Sequence, residues 1–146
     1  MKVADLLKNK GQTVITVSPD EPVFSAMGKL IEHKIGSLVV TDAEDRILGI
    51  ISERDILHAA YANYETLKSK KVSNLMSTNL IVAIPEDDID YIRGIMTQNR
   101  IRHLPIVTKE GIVGILSVGD IVKFQLEEIQ VKNRYLEEYM YGHQTM

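Results

Sequence analysis

Gly49-Ile50-Ile51-Ser52-Glu53-Arg54-Asp55-Ile56 organises the chain, because the pattern returns as Gly114-Ile115-Leu116-Ser117-Val118-Gly119-Asp120-Ile121. In each copy a glycine precedes a short apolar run that reads as a buried strand. A serine follows, and an aspartate three residues on opens an amphipathic helix. Two chemistries fit such a corner. The serine can cap the helix while the aspartate complements its dipole. Alternatively the corner holds a phosphorylated ribose: the serine hydroxyl and free helix N–H groups face the phosphate, and the carboxylate accepts from two ribose hydroxyls. Capping explains one copy but not the whole repeat.

Upstream of the first copy, Ile35-Gly36-Ser37-Leu38-Val39-Val40 reads as a buried strand. The turn Thr41-Asp42-Ala43-Glu44-Asp45 joins it in a hairpin to Ile47–Ile51. Before it, Val23, Ala26, Met27, Leu30 and Ile31 share one helical face and predict a core-facing helix. Thr13–Val17, rich in β-branched residues, reads as a strand, and Ser18-Pro19-Asp20-Glu21-Pro22 ends it and starts the helix. Val3-Ala4-Asp5-Leu6-Leu7 reads as a short helical turn ending at Lys8-Asn9-Lys10-Gly11. Downstream, the helix opened by Asp55 runs through Ile56, Leu57, Ala59 and Ala60, and the polar stretch from Asn63 to Lys71 reads as a link.

The second half repeats this order. Pro19 and Pro85, Gly28 and Gly94, Ile35 and Ile101, and Leu38 and Leu104 stand 66 positions apart, and Gly49 and Gly114 stand 65 apart. One residue is therefore missing from the turn Thr108-Lys109-Glu110-Gly111, a place where deletion costs little. The opening also recurs, as Val72-Ser73-Asn74-Leu75-Met76. A unit of about 60 residues buries too little surface to be comfortable alone, so two copies should pack about a pseudo-twofold axis and leave two equivalent clefts. The expected division is residues 1–68, 69–125 and a helical extension and tail over 126–146.

Composition narrows the functional classes. The chain has 146 residues, 45% hydrophobic and 25% charged, which suits one soluble globular unit. A net charge of −3 with 5% aromatic residues offers no basic face or stacking platform for nucleic acid. There is no cysteine, hence no disulfide framework or thiolate chemistry. The start is charged too early for a secretory signal, and no run approaches the roughly 20 apolar residues of a membrane span. Cytoplasmic residence is the expectation. His33, His58, His103 and His143 lie in no metal-ligand spacing. No nucleophile elbow or phosphate loop occurs, and Asp87 and Asp88 fit a helix start. Neither a catalytic nor a metal site is expected, and the chain is not expected to be an enzyme.

With both copies quoted, the chain resembles a tandem pair of cystathionine-β-synthase (CBS) domains, a Bateman module, of the small stand-alone bacterial type. The resemblance covers about residues 1–125. It rests on the doubled Gly-apolar-apolar-Ser-x-x-Asp pattern, the matching openings, and Ile101-Arg102-His103-Leu104-Pro105-Ile106-Val107, which is similar to the family's second-strand signature. It implies an α/β fold of α+β type: two β-α-β-β-α repeats, here followed by a long C-terminal helix. It also implies a regulatory module whose clefts bind AMP, ADP, ATP, S-adenosylmethionine or NAD(H), without catalysis. AMP is the first expectation. The alternative is a scaffold with empty or degenerate clefts, against which the intact Ser and Asp of both copies speak.

Carried onto this chain, the resemblance implies Asp55 and Asp120 for the ribose, and Ser52 and Ser117 for the phosphate or a nearby ribose oxygen. One cleft would combine Val14, Ile15, Ile35, Gly36 and Ser37 with Ser117 and Asp120. The other would combine Leu80, Ile81, Ile101, Arg102 and His103 with Ser52 and Asp55. Adenine would gain from apolar burial against the strands, whose main-chain groups can read its edge. The clefts differ, since Arg102 and His103 stand where the first copy has Gly36 and Ser37. A guanidinium matches phosphate as a bidentate fork, and an imidazole of unperturbed pKa about 6.5 adds a pH-sensitive donor. Both residues could instead solvate a strand end. Arg54 and Lys34 could lend charge to either cleft or be ordinary surface cations.

From Ile121 to Met140 there is no Gly or Pro. Ile121, Val122, Leu126, Ile129, Leu136, Tyr139 and Met140 are apolar, and Glu128 and Lys132 can pair at i and i+4. A helix of about 20 residues spans roughly 30 Å, farther than one repeat needs. It either folds back over its own module or is exchanged across a homodimer. The tail Gly142–Met146 reads as frayed. A homodimer and an effector protein of unknown identity are the expected protein partners, with no nucleic acid or membrane.

Overall fold

The computed structural model describes residues 1–10 and 14–141. Gly11, Thr13 and the tail Gly142–Met146, which the sequence assigns to a turn, a strand start and a frayed end, lie outside the described residues. The order is α1 (Val3–Lys10), β1 (Thr16–Val17), α2 (Val23–His33), β2 (Ser37–Thr41), β3 (Ile47–Ser52), α3 (Glu53–Asn63), α4 (Val72–Leu75), α5 (Ile89–Asn99), β4 (His103–Thr108), β5 (Gly111–Ser117) and α6 (Val118–Tyr141). A 3-10 helix over Tyr64–Ser69 occupies the expected link. This is the expected two-repeat α/β fold with its long last helix.

The hairpins form as the patterns require. β2 and β3 pair antiparallel from Ser37↔Ser52 to Thr41↔Ile47, and β4 and β5 from His103↔Ser117 to Thr108↔Gly111. β1 adds in parallel to β2, but it is two residues long, so Val14 and Ile15 lie outside the ladder. Its counterpart in the second repeat is reduced to a single bridge, Ala83↔Ile106. There Ala83 N–H donates to the Pro105 carbonyl and Val107 N–H to the Ala83 carbonyl.

The two cores do not follow the two halves of the sequence. Val3, Leu6 and Leu7 of α1 are buried with Ile92, Leu104, Ile106 and Leu116 of the second repeat. Val72 of α4 is buried with Val17, Leu38 and Ile51 of the first. Each opening segment thus docks on the opposite repeat by the same bonds. Val3 N–H donates to the Asp87 carbonyl and Ala4 N–H to that of Pro85; Val72 N–H donates to the Glu21 carbonyl and Ser73 N–H to that of Pro19. The motif glycines make room for this exchange. A Cβ on Gly49 would stand 2.6 Å from the Ser77 carbonyl oxygen, and one on Gly114 2.7 Å from Leu7 Cδ2.

Several expectations need correction. Ile31 of α2 is 76% exposed, because it lies beyond the width of the stripe its sheet covers. Glu128 and Lys132 form no ion pair among the described residues; the pair on α6 is Arg134–Glu138 at 3.3 Å. Nor does α6 fold back over its module, since residues 126–140 are all exposed. Among the described residues no helix is long and apolar enough to cross a membrane.

Candidate functional site

The two Ser–Asp corners are built alike. At the first, Asp55 N–H donates to Ser52 Oγ (3.2 Å), and Asp55 Oδ2 accepts from Ser52 N–H (2.9 Å) and from the Ser52 hydroxyl (3.0 Å). At the second, Asp120 N–H donates to Ser117 Oγ (3.0 Å) and Ser117 N–H to Asp120 Oδ2 (2.8 Å). Capping is therefore present at both corners, but it leaves donors over. The first helical N–H of α3, on Glu53, donates to the Gly36 carbonyl, and that of α6, on Val118, donates to the Arg102 carbonyl. The next N–H of each helix, on Arg54 and Gly119, has no acceptor among the described residues. Both residues line one cleft.

That cleft, about 890 Å³, joins Leu80, Ile81, Ile101, Arg102 and His103 to Ser52 and Asp55. Ile50 and Pro105 extend its apolar wall, and Asn79 and His58 add polar groups. Its cations are Arg54, Arg100 and Arg102, none within ion-pairing distance of a carboxylate among the described residues. Glu53 and Asp55 are its acids. A second cleft of about 330 Å³ joins Val14, Ile15, Ile35, Gly36 and Ser37 to Ser117 and Asp120, with Lys34 at its edge. Both volumes fall in the range of small-molecule sites. Each residue that the resemblance assigned to ligand binding thus lines its expected cleft, with Gly36, His103 and Ser117 lining both.

Three features lay outside the sequence reading. Arg100 lines the larger cleft, as Lys34, its counterpart 66 positions earlier and already a candidate cation, lines the smaller. Both close their helices in the left-handed region, at φ 55° and 54°. Glycine usually takes this place, so a cation there carries a backbone cost. The signal was available, since each ends a helical stripe just before an Ile strand start. His103 was assigned to one cleft but lines both, as do Gly36 and Ser117. A Cβ on Gly36 would lie 3.2 Å from His103 Nε2, so the ring rests close to that glycine. Third, the serine hydroxyls differ: the Ser52 proton is committed to Asp55, while the Ser117 proton has no acceptor among the described residues.

Comparison with known proteins agrees with this geometry. The family model described as CBS domain matches residues 3–62 and again 72–127. The chain belongs to the CBS-domain family. Among curated proteins it is similar to the mitochondrial CBS domain-containing protein CBSX3 of Arabidopsis thaliana, 31% identical over 96% of this chain and 72% of that one. Among solved structures, a CBS-domain containing protein from Agrobacterium tumefaciens superposes with a TM-score of 0.82 at 39% identity, covering 86% of this chain and 99% of that one. The CBS domain pair of protein MJ0100, solved in complex with 5′-methylthioadenosine and S-adenosyl-L-methionine, superposes with a TM-score of 0.77 at 26% identity over 88% of this chain and 98% of that one. The CBS pair here is thus of a kind in which at least one neighbour holds adenosine compounds.

Proposed function

We propose that this CBS pair is a non-catalytic sensor of an adenosine ligand, with AMP the first candidate, which binds between the repeats and changes the shape or stability of the module. One observation carries the reading: each cleft pairs an apolar strand start from one repeat with a Ser–Asp corner from the other. In this reading adenine lies against Leu80, Ile81 and Ile101 in the larger cleft and against Val14, Ile15 and Ile35 in the smaller. Asp55 Oδ1 and the Asp120 carboxylate accept from ribose hydroxyls. The phosphate lies in the larger cleft, against Arg102 with Arg54 and Arg100 near it and the Arg54 and Gly119 N–H groups at two helix starts. ADP, ATP, NAD(H) and S-adenosylmethionine share the adenosine and differ beyond it. A scaffold with empty clefts is the competing reading.

Mass spectrometry of small molecules released from freshly purified protein, beside a thermal-shift series of these compounds, separates the two. A ligand at 100 times its dissociation constant stabilises the fold by about 2.7 kcal/mol. Guanosine analogues should do less, because the purine six position then presents the opposite donor and acceptor. Equal shifts with AMP and GMP, or none with any adenosine compound, would remove the sensor reading.

A further inference from the structure

The two clefts differ in room and in charge. The larger, about 890 Å³, sets Arg54, Arg100 and Arg102 against Glu53 and Asp55; the smaller, about 330 Å³, sets Lys34 against Asp120. Two helix starts also open on the larger one, where the Arg54 and Gly119 N–H groups have no acceptor among the described residues. A single guanidinium already meets two oxygens of one phosphate as a fork. The larger cleft therefore holds more cationic donors than a monophosphate can use.

Arg100 is the one of the three that carries a backbone cost. It closes α5 through its N–H on the Met96 and Thr97 carbonyls, at φ 55° and ψ 39°, a left-handed conformation that glycine adopts freely and a side chain strains. Its own side chain is exposed and makes no ion pair or hydrogen bond among the described residues, so it returns nothing to the fold. Arg102, two residues on, is tied through its carbonyl to Val118 N–H at the start of α6.

We infer that the larger cleft is built for an adenosine carrying a chain of two or three phosphates, and that Arg100 is the residue that selects the chain over a single phosphate. This rests on the adenosine reading and names the ligand class for one cleft. The phosphate next to the ribose meets Arg102 whatever the length of the chain. The phosphates beyond it meet Arg54 and Arg100, to which AMP has nothing to offer. In the smaller cleft one ammonium faces one carboxylate, so added phosphate charge gains as much repulsion as attraction.

Calorimetric titrations in chelator, where no divalent cation masks the phosphates, test one cleft at a time. With Asp120→Asn weakening the smaller cleft, ATP should bind at least about tenfold more tightly than AMP, with ADP between them, a factor that one charge-assisted hydrogen bond can supply. NAD+, whose diphosphate is closed by a second nucleoside, should trail ADP. With Asp55→Asn weakening the larger cleft, the remaining site should not prefer ATP. Arg100→Gly should melt about 2–4 °C above wild type without ligand, because the strain is relieved. It should also lose most of the ATP preference, with a smaller loss for AMP, whereas Arg100→Lys should keep part of that preference. Added salt should narrow the ratio of ATP to AMP affinity. ATP no tighter than AMP in the Asp120→Asn protein, NAD+ tighter than ATP, an ATP preference that survives Arg100→Gly, or an Arg100→Gly protein less stable than wild type would each overturn the inference while leaving the adenosine reading standing. If no adenosine compound binds the wild type, the adenosine reading falls and this inference with it.

Discussion

In the proposed reading each motif aspartate serves two demands, the cap that the structure shows and a ribose contact, and its atoms divide the work. Asp55 Oδ2 takes both Ser52 donors, while Oδ1 has no donor among the described residues. An alanine there removes a capping box as well as the proposed ligand contact, and the lost cap alone costs about 0.5–2 kcal/mol of stability. Asp55→Asn keeps an acceptor for Ser52 and drops the charge, so its loss of AMP affinity, about 1.5–3 kcal/mol if a charged hydrogen bond is weakened, reports the ligand contact. Unchanged calorimetric affinity would leave Asp55 a helix-start residue only. Arg102→Ala should cost far more for AMP than for adenosine, with the AMP loss shrinking as salt rises. Equal losses for both would move Arg102 from the phosphate to the adenine wall or the strand. The motif glycines have a separate, structural test. Gly49→Ala drives a Cβ against the Ser77 backbone, whereas at Gly114 it meets the tip of Leu7, which can turn aside. Overpacking costs about 1–3 kcal/mol, so Gly49→Ala should sit at or above the top of that range and Gly114→Ala below it, read from denaturant midpoints. These glycines were legible as pattern but not as purpose, because the atoms they admit come from segments far away in sequence.

Among elements, the loops before α2 and α5 bind the exchanged openings α4 and α1, and one carboxylate braces each. Asp87 Oδ2 accepts from Ile84 N–H at 2.9 Å, and Glu21 Oε2 from Ser18 N–H at 2.7 Å. Ser25 Oγ donates to Glu21 Oε1 at 2.8 Å, and Lys29 lies 3.4 Å away. Burial alone would raise the Glu21 carboxyl, but the Ser18 and Ser25 hydrogen bonds and the Lys29 ammonium outweigh it and hold the group below its ordinary value. A carboxyl lowered on folding stabilises above its unfolded pKa, about 4.3, and loses that contribution as pH falls through the folded value. Glu21→Gln should therefore melt below wild type at pH 7, with the gap closing between about pH 5 and pH 3. A gap that stays constant over this range would make the charge irrelevant to the brace. The element order itself was legible because glycine, serine and aspartate recur at one register. The exposure of Ile31 was not, since periodicity gives a helix face but not how much of it a neighbour covers. Arg100 was missed for a related reason: left-handed helix ends are read from glycine, and this one has none.

For the whole molecule, repeat symmetry produces two clefts, and they share lining residues through which binding in one can be felt in the other. Gly36, His103 and Ser117 line both, and the His103 ring lies close to Gly36. If adenosine ligands fill both clefts, a ligand that moves this ring in one must change what the other offers, and the effect must be reciprocal. Typical coupling between sites is about 1–3 kcal/mol, or roughly 5- to 150-fold in affinity. Calorimetric titration with AMP should give two sites whose affinities depend on each other. His103→Ala should leave two sites that fill independently, and Gly36→Ala, which displaces the ring by a few tenths of an ångström, should alter both affinities together. Arg54→Ala, confined to the larger cleft, should change one affinity and leave the dependence between sites in place. If the wild-type sites fill independently, or if His103→Ala leaves their dependence intact, the shared imidazole does not connect them. The coupling must then be absent or run through the exchanged helices α1 and α4, each buried in the core of the opposite repeat.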